Sequence, residues 1–139
     1  MPIRSLSEIV LVVRDLPAAA AFYRDVLGLT PARPQSPDWA WFWVGDPARC
    51  QRLAVHKGPL LFEEFSPRPA GHRFGPVHVA FYVPRHELAD MLDRLRAAAV
   101  PVHGPQRLEW MSAESHYFFD PDSNLIEFWS PDPVGDPTG

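Results

Sequence analysis

Apolar and polar positions alternate with period two in two segments whose polar residues, Glu8 and His78, stand seventy residues apart. In Val77-His78-Val79-Ala80-Phe81-Tyr82-Val83, the side chains of Val77, Val79, Phe81 and Val83 fall on one face of a strand, and those of His78, Ala80 and Tyr82 on the other. Glu8-Ile9-Val10-Leu11-Val12-Val13 repeats the pattern, with Ile9, Leu11 and Val13 opposed to Glu8, Val10 and Val12. A third strand, Leu125 to Trp129, sets Ile126 and Phe128 against Leu125, Glu127 and Trp129. Each strand therefore offers one oxygen or nitrogen ligand among apolar neighbours, on the face turned away from the helices.

The intervening segments complete two similar halves. Asp15 and Pro17 open a helix that runs to Leu27 and stops at Gly28, with Phe22 and Val26 as a core pair. Residues Leu29 to Pro37 read as a short strand or turn. Asp38 to Val44 is a strand with Trp39, Trp41 and Trp43 on one face, and Gln51 to His56 returns as its hairpin partner. In the second half a helix spans about His86 to Ala98, with Leu88, Met91, Leu92 and Leu95 at helical spacing. Val100 begins the next strand, Gln106 to Met111 is a connection or strand, and Ser115 to Phe119 is another strand. Asp120-Pro121-Asp122-Ser123-Asn124 then turns the chain into the Glu127 strand. Each half reads strand, helix, three strands, which is an internal repeat. Residues 58–75 hold too many Gly-Pro and Ser-Pro breaks for a regular element and read as a linker, within which Leu60 to Phe65 can form a short strand or docked turn. Residues 131–139 read as a flexible tail.

Composition narrows the function classes. A length of 139 residues with 46% hydrophobic and 22% charged residues gives one globular domain. The net charge of -4, with scattered basic residues, excludes a nucleic-acid footprint. Cys50 is alone, which excludes a disulfide framework or thiolate cluster and agrees with the cytoplasm. No signal peptide and no bilayer-length apolar run are present, so no membrane association is expected.

Three segments carry a family resemblance: Glu8 to Leu16 followed by Phe22-Tyr-Arg-Asp-Val-Leu-Gly-Leu29, Pro76-Val-His-Val-Ala-Phe81, and Phe119-Asp-Pro-Asp-Ser-Asn-Leu-Ile-Glu-Phe128. In combination they resemble the vicinal oxygen chelate superfamily, the glyoxalase/bleomycin-resistance/dioxygenase group. The resemblance implies an α+β fold: one domain over residues 1–130, with paired βαβββ modules at about 5–57 and 76–130 curled into an open, cupped barrel around a divalent metal. The first strand of each module and the last strand of the second supply ligands in the family, and these positions fall on Glu8, His78 and Glu127. Metal-dependent members usually carry His where this chain has Glu8. Glyoxalase I-like members take a fourth ligand from the last strand of module one, where His56 can serve; 56 minus 8 is 48 and 127 minus 78 is 49. Many members pair modules between chains, so a homodimer is expected.

Two carboxylates and an imidazole would neutralise a divalent ion, whether Zn, Ni, Co, Mn, Mg or Fe, and leave positions for substrate oxygens. The expected activity is lyase or isomerase chemistry on a small oxygenated substrate, with Glu127 or Glu8 as the base. Ser115 and Tyr117 share the orientation of a pocket-lining strand in related fosfomycin-modifying enzymes and are candidates for substrate hydrogen bonds, with His116 pointing into the other layer. Trp41 and Trp129 are candidate aromatic walls. The alternatives are a metal-free, bleomycin-sequestering binding protein and, further off, an Fe(II) dioxygenase or an interaction scaffold.

Overall fold

The computed structural model describes residues 5–58 and 78–133. Nearly all of the predicted linker, with Leu60 to Phe65, and residues 134–139 of the predicted tail lie outside them. The chain divides at Gly75 and Pro76 into two compact modules, and the predicted repeat is present in both.

Module one consists of β1 (Glu8–Val13), α1 (Leu16–Ala21), β2 (Thr30–Pro31), β3 (Trp39–Trp43) and β4 (Arg52–Lys57). Its open sheet has the order β1-β4-β3-β2, with β1 and β4 parallel and the other pairs antiparallel. Asp15 caps α1 by accepting the Ala18 amide at 3.0 Å, as its position predicts. The helix does not run regularly to Leu27. After Ala21 it widens into a π-helical turn, Phe22–Val26, in which the Leu27 amide donates to the Phe22 carbonyl at 3.1 Å. That turn carries both Phe22 and Tyr23 inward, Tyr23 with no exposed surface, while Val26 stays at the edge. The expected Phe22/Val26 core pair is therefore a Phe22/Tyr23 pair, its rings edge to face at 5.2 Å. Gly28 ends the segment with φ 75°, where only glycine is free of strain.

Module two consists of β5 (His78–Tyr82), α2 (Arg85–Ala97), β6 (His103–Leu108), β7 (Ala113–Phe119) and β8 (Leu125–Pro131), in the order β5-β8-β7-β6. Again the outer pair, β5 and β8, is parallel and the rest antiparallel. Leu88 and Leu95 of α2 pack on the sheet with Val79, Phe118, Ile126 and Phe128. β6 starts at His103 rather than Val100, and Glu109–Met111 forms a short 3₁₀ turn after it. The start of the expected tail is ordered by specific partners. Pro131 belongs to β8, and Asp132 receives Arg107 at 2.6 and 2.7 Å and Arg85 at 3.0 Å. Arg85 also holds Glu114 at 2.9 Å, so the start of α2 is tied to β7 and to the end of β8. No helix among the described residues is long and apolar enough to cross a membrane.

Candidate functional site

The site begins with register in module two. Asp120, buried at the β7–β8 turn, accepts the amides of Asp122 and Asn124 at 2.9 and 2.8 Å and the Asn124 side-chain amide at 2.8 Å. This turn sets Tyr117 opposite Glu127, and on the other flank β5 sets Ala80 opposite Glu127. Glu127 thus stands on a central strand between a phenol and a methyl group. The small Ala80 leaves room for His78, two residues earlier on the same face, to lean across: its Nε2 lies 3.0 Å from Glu127 Oε2. Glu127 is only 6% exposed, and a buried carboxylate needs donors for its lone pairs. Ser115 supplies one, its hydroxyl donating to Oε1 at 2.6 Å.

That bond corrects one expectation. Ser115 has no exposed surface and its hydroxyl is used by Glu127, so it acts through the carboxylate rather than on a substrate. Tyr117 and Trp129 do line the pocket with His78 and Glu127, as alternation predicts. The pocket has a volume of about 510 Å³ and is walled further by Tyr82, Trp110 and Met111. The Trp129 indole Nε1 is buried with no hydrogen-bond partner. Trp110 and Met111 escape the sequence reading because their short turn has neither period. The available signal was an indole and a thioether side by side, Trp110-Met111, flanked by the polar Glu109 and Ser112; in the fold the indole is 82% exposed. His116, on the opposite face of β7 from Tyr117, points into the helix-side layer as expected and is 5% exposed.

In module one the same face of the sheet carries Glu8, exposed at the first position of β1, as His78 is at the first position of β5. The register corrects the role given to His56. Glu127 pairs with Ala80, two residues beyond His78, and the matching pair in module one is Ala54 with Val10. His56 instead lies level with Val12, four residues beyond Glu8, or about 13 Å along the strand. Glu8 and His56 therefore cannot hold one ion together. The near-equal spacings of 48 and 49 conceal that offset, because strand pairing rather than residue count fixes who stands beside whom. His56 packs its ring 4.0 Å from that of Trp39. Trp41 stacks on Trp39 at 5.3 Å and takes the Arg33 guanidinium over its ring at 4.5 Å, so its ring is already engaged within its own module.

The residues of module two fit a divalent metal in kind. An imidazole nitrogen and a carboxylate oxygen converge on one point, and the second carboxylate oxygen is fixed by a hydroxyl donor, the usual support for a ligating carboxylate. Within module two no third His, Cys, Asp or Glu among the described residues joins the pair.

Comparison with known proteins places this architecture. A lactoylglutathione lyase from Agrobacterium tumefaciens is 26% identical, with a TM-score of 0.70 over 98% of this chain and 100% of that one. A glyoxalase/dioxygenase from Nostoc punctiforme is 24% identical, with a TM-score of 0.71 over 94% of this chain and 92% of that one. A mutant of the fosfomycin resistance protein FosX from Listeria monocytogenes, complexed with Mn(II) and 1S,2S-dihydroxypropylphosphonic acid, is 22% identical, with a TM-score of 0.66 over 91% of this chain and 89% of that one. No curated protein matches the sequence significantly. Residues 5–128 match the family described as the Glyoxalase/Bleomycin resistance protein/Dioxygenase superfamily, and the chain belongs to it.

Proposed function

We propose that the chain is a divalent-metal-dependent, glyoxalase-like enzyme carrying out lyase or isomerase chemistry on a small oxygenated substrate. The observation that carries this reading is the 3.0 Å approach of His78 Nε2 to a buried Glu127 carboxylate at the base of a pocket. These two residues would hold the ion from module two, with Glu8 as the ligand from module one by its place in the repeat. A divalent ion bound there would supply a Lewis acid for adjacent substrate oxygens. The protein residues then divide the remaining work. Ser115 keeps Glu127 Oε1 occupied, so Oε2 is the oxygen left to exchange between ligand and proton acceptor. Glu8 is the second candidate base. The Tyr117 hydroxyl is the donor available to orient substrate oxygens, and Tyr82, Trp110, Met111 and Trp129 give the pocket its aromatic and apolar walls.

The similarity to a lactoylglutathione lyase supports the reaction class. The test is elemental analysis of the purified protein and of His78→Ala. Near-stoichiometric divalent metal in the parent and its loss in the variant are expected; undiminished metal in the variant overturns the site.

A second reading is a metal-free binding protein that sequesters an aromatic ligand, favoured by the indole and phenol walls of the pocket. Calorimetry separates the two: no heat with divalent ions and strong heat with a bleomycin-like ligand would establish it. An Fe(II) dioxygenase stands behind both, because one imidazole with two carboxylates departs from the two-His, one-carboxylate set of such enzymes. We assign the protein to the cytoplasm, in keeping with its exposed, unbridged Cys50. We also assign it a homodimeric state.

A further inference from the structure

The pocket that holds His78 and Glu127 has walls that narrow what can fill it. Apart from that pair and the phenol hydroxyls of Tyr82 and Tyr117, its described lining is aromatic or apolar, and among the described residues no lysine or arginine lines it. Three of the large hydrophobic side chains that stand exposed among the described residues, Tyr82, Trp110 and Met111, are gathered on this one pocket. Exposed apolar surface gathered at a concavity, rather than scattered, marks a place that a ligand covers.

Strand register orders these groups along the pocket. On one face, β5 and β8 carry Ala80 beside Glu127 and then, two residues on, Tyr82 beside Trp129. Two residues of strand amount to about 7 Å. The Tyr82 and Trp129 rings stand 6.2 Å apart with their planes at 53°, so they splay rather than stack on one another. The Trp110 indole, on the 3₁₀ turn after β6, adds to the pocket's aromatic lining and has most of its surface free. The pocket therefore has a chelating end and an aromatic end one pleat repeat apart. A ring bonded directly to an oxygen-bearing carbon spans that step, with its oxygens at the His78–Glu127 end. Charge fixes a second property. A carboxylate or phosphonate carried on the ring would lie among indole, phenol and thioether groups with no cation to meet it, at a desolvation cost that nothing in this lining offsets.

We propose that the substrate is an uncharged aryl compound whose adjacent oxygens begin on the carbon next to the ring, and that Trp110 sets this specificity. The inference rests on the function proposed above for the oxygens alone; the ring and its lack of charge follow from the walls.

The test titrates the full chain, with Zn(II) and in parallel with EDTA, with 1-phenylethane-1,2-diol. Calorimetry gives the affinity, and the Trp110 indole N–H resonance, assigned by its loss in Trp110→Ala, gives the place. Propane-1,2-diol, which keeps the oxygens and loses the ring, and 4-(1,2-dihydroxyethyl)benzoate, which adds a charge to the ring, are the controls. Saturable binding of the phenyl diol with a shift of the indole resonance is expected, each control being weaker by about threefold or more. Trp110→Ala, at an exposed position that leaves the core intact, should lose most of the preference for phenyl over methyl and keep the parent's metal content; Trp110→Phe should recover the preference. Equal affinities for the phenyl and methyl diols, undiminished affinity for the carboxylated ring, a preference untouched by Trp110→Ala, or no saturable binding of the phenyl diol at millimolar concentration overturns the proposal. Failure of the metal reading has a different signature: elemental analysis finds no metal in the parent, while the ring preference persists in EDTA and upholds the aryl assignment.

Discussion

Ser115 and His116 are neighbours in sequence whose environments oppose each other, and each makes a prediction. Removing the Ser115 hydroxyl leaves Glu127 Oε1 buried without its donor, so Ser115→Ala should cost about 1–3 kcal/mol in denaturant unfolding. On the proposed function, it should also weaken divalent-metal binding about tenfold or more in calorimetry, because the carboxylate is no longer held in one rotamer. Retained stability and affinity would show that the bond is incidental. For His116, burial is the largest influence, with Arg85 acting in the same direction and Glu114 against; together they push the imidazole below its ordinary value of 6.5. The folded chain therefore binds its proton less readily than the unfolded chain. Stability from this residue is complete above pH 6.5 and declines as the pH falls below it, toward the lowered folded value. Thermal melts between about pH 7 and pH 5 should show that decline, and His116→Gln should flatten it. The face each of these residues occupies is legible from alternation alone. What they touch is not, since Ser115 meets Glu127 across a strand pair that only the fold brings together.

At the scale of elements, the strands and both helices follow from periodicity, and the departures have local causes. Helical spacing selects Phe22 and Val26, but the π turn adds a residue to the ring of hydrogen bonds and so brings in Tyr23. A sequence pattern assumes a constant 3.6 residues per turn and cannot register such a change. Tyr23→Ala should cost about 3–5 kcal/mol by chemical denaturation, whereas Val26→Ala should cost distinctly less. The Asp120 turn, by contrast, announces itself through its Asp-Pro-Asp-Ser-Asn composition. Asp120→Ala removes three accepted hydrogen bonds and loosens the hairpin that aligns Tyr117 with Glu127. Hydrogen exchange of the β7–β8 amides should accelerate in that variant; unchanged protection would show that the strands hold register without it.

At the scale of the molecule, duplication is the feature the sequence displays most openly: two modules with the same strand order from segments seventy residues apart. Family positions marked Glu8, His78 and Glu127, and the structure brings the last two together within module two. His56 shows the limit of counting, because a shift of one pleat repeat moves a side chain beyond reach without changing its face. If the protein is a homodimer, light scattering at micromolar concentration will return twice the chain mass of 15.7 kDa; a mass equal to one chain would remove that assignment. β7 also restricts how this chain can change over time. Its odd-numbered residues serve one side of the sheet and its even-numbered residues the other, so a single-codon deletion inside the strand would exchange the two inventories for every residue on one side of the cut. Point substitutions can retune either side independently, but insertions and deletions that survive selection should fall outside Ala113–Phe119.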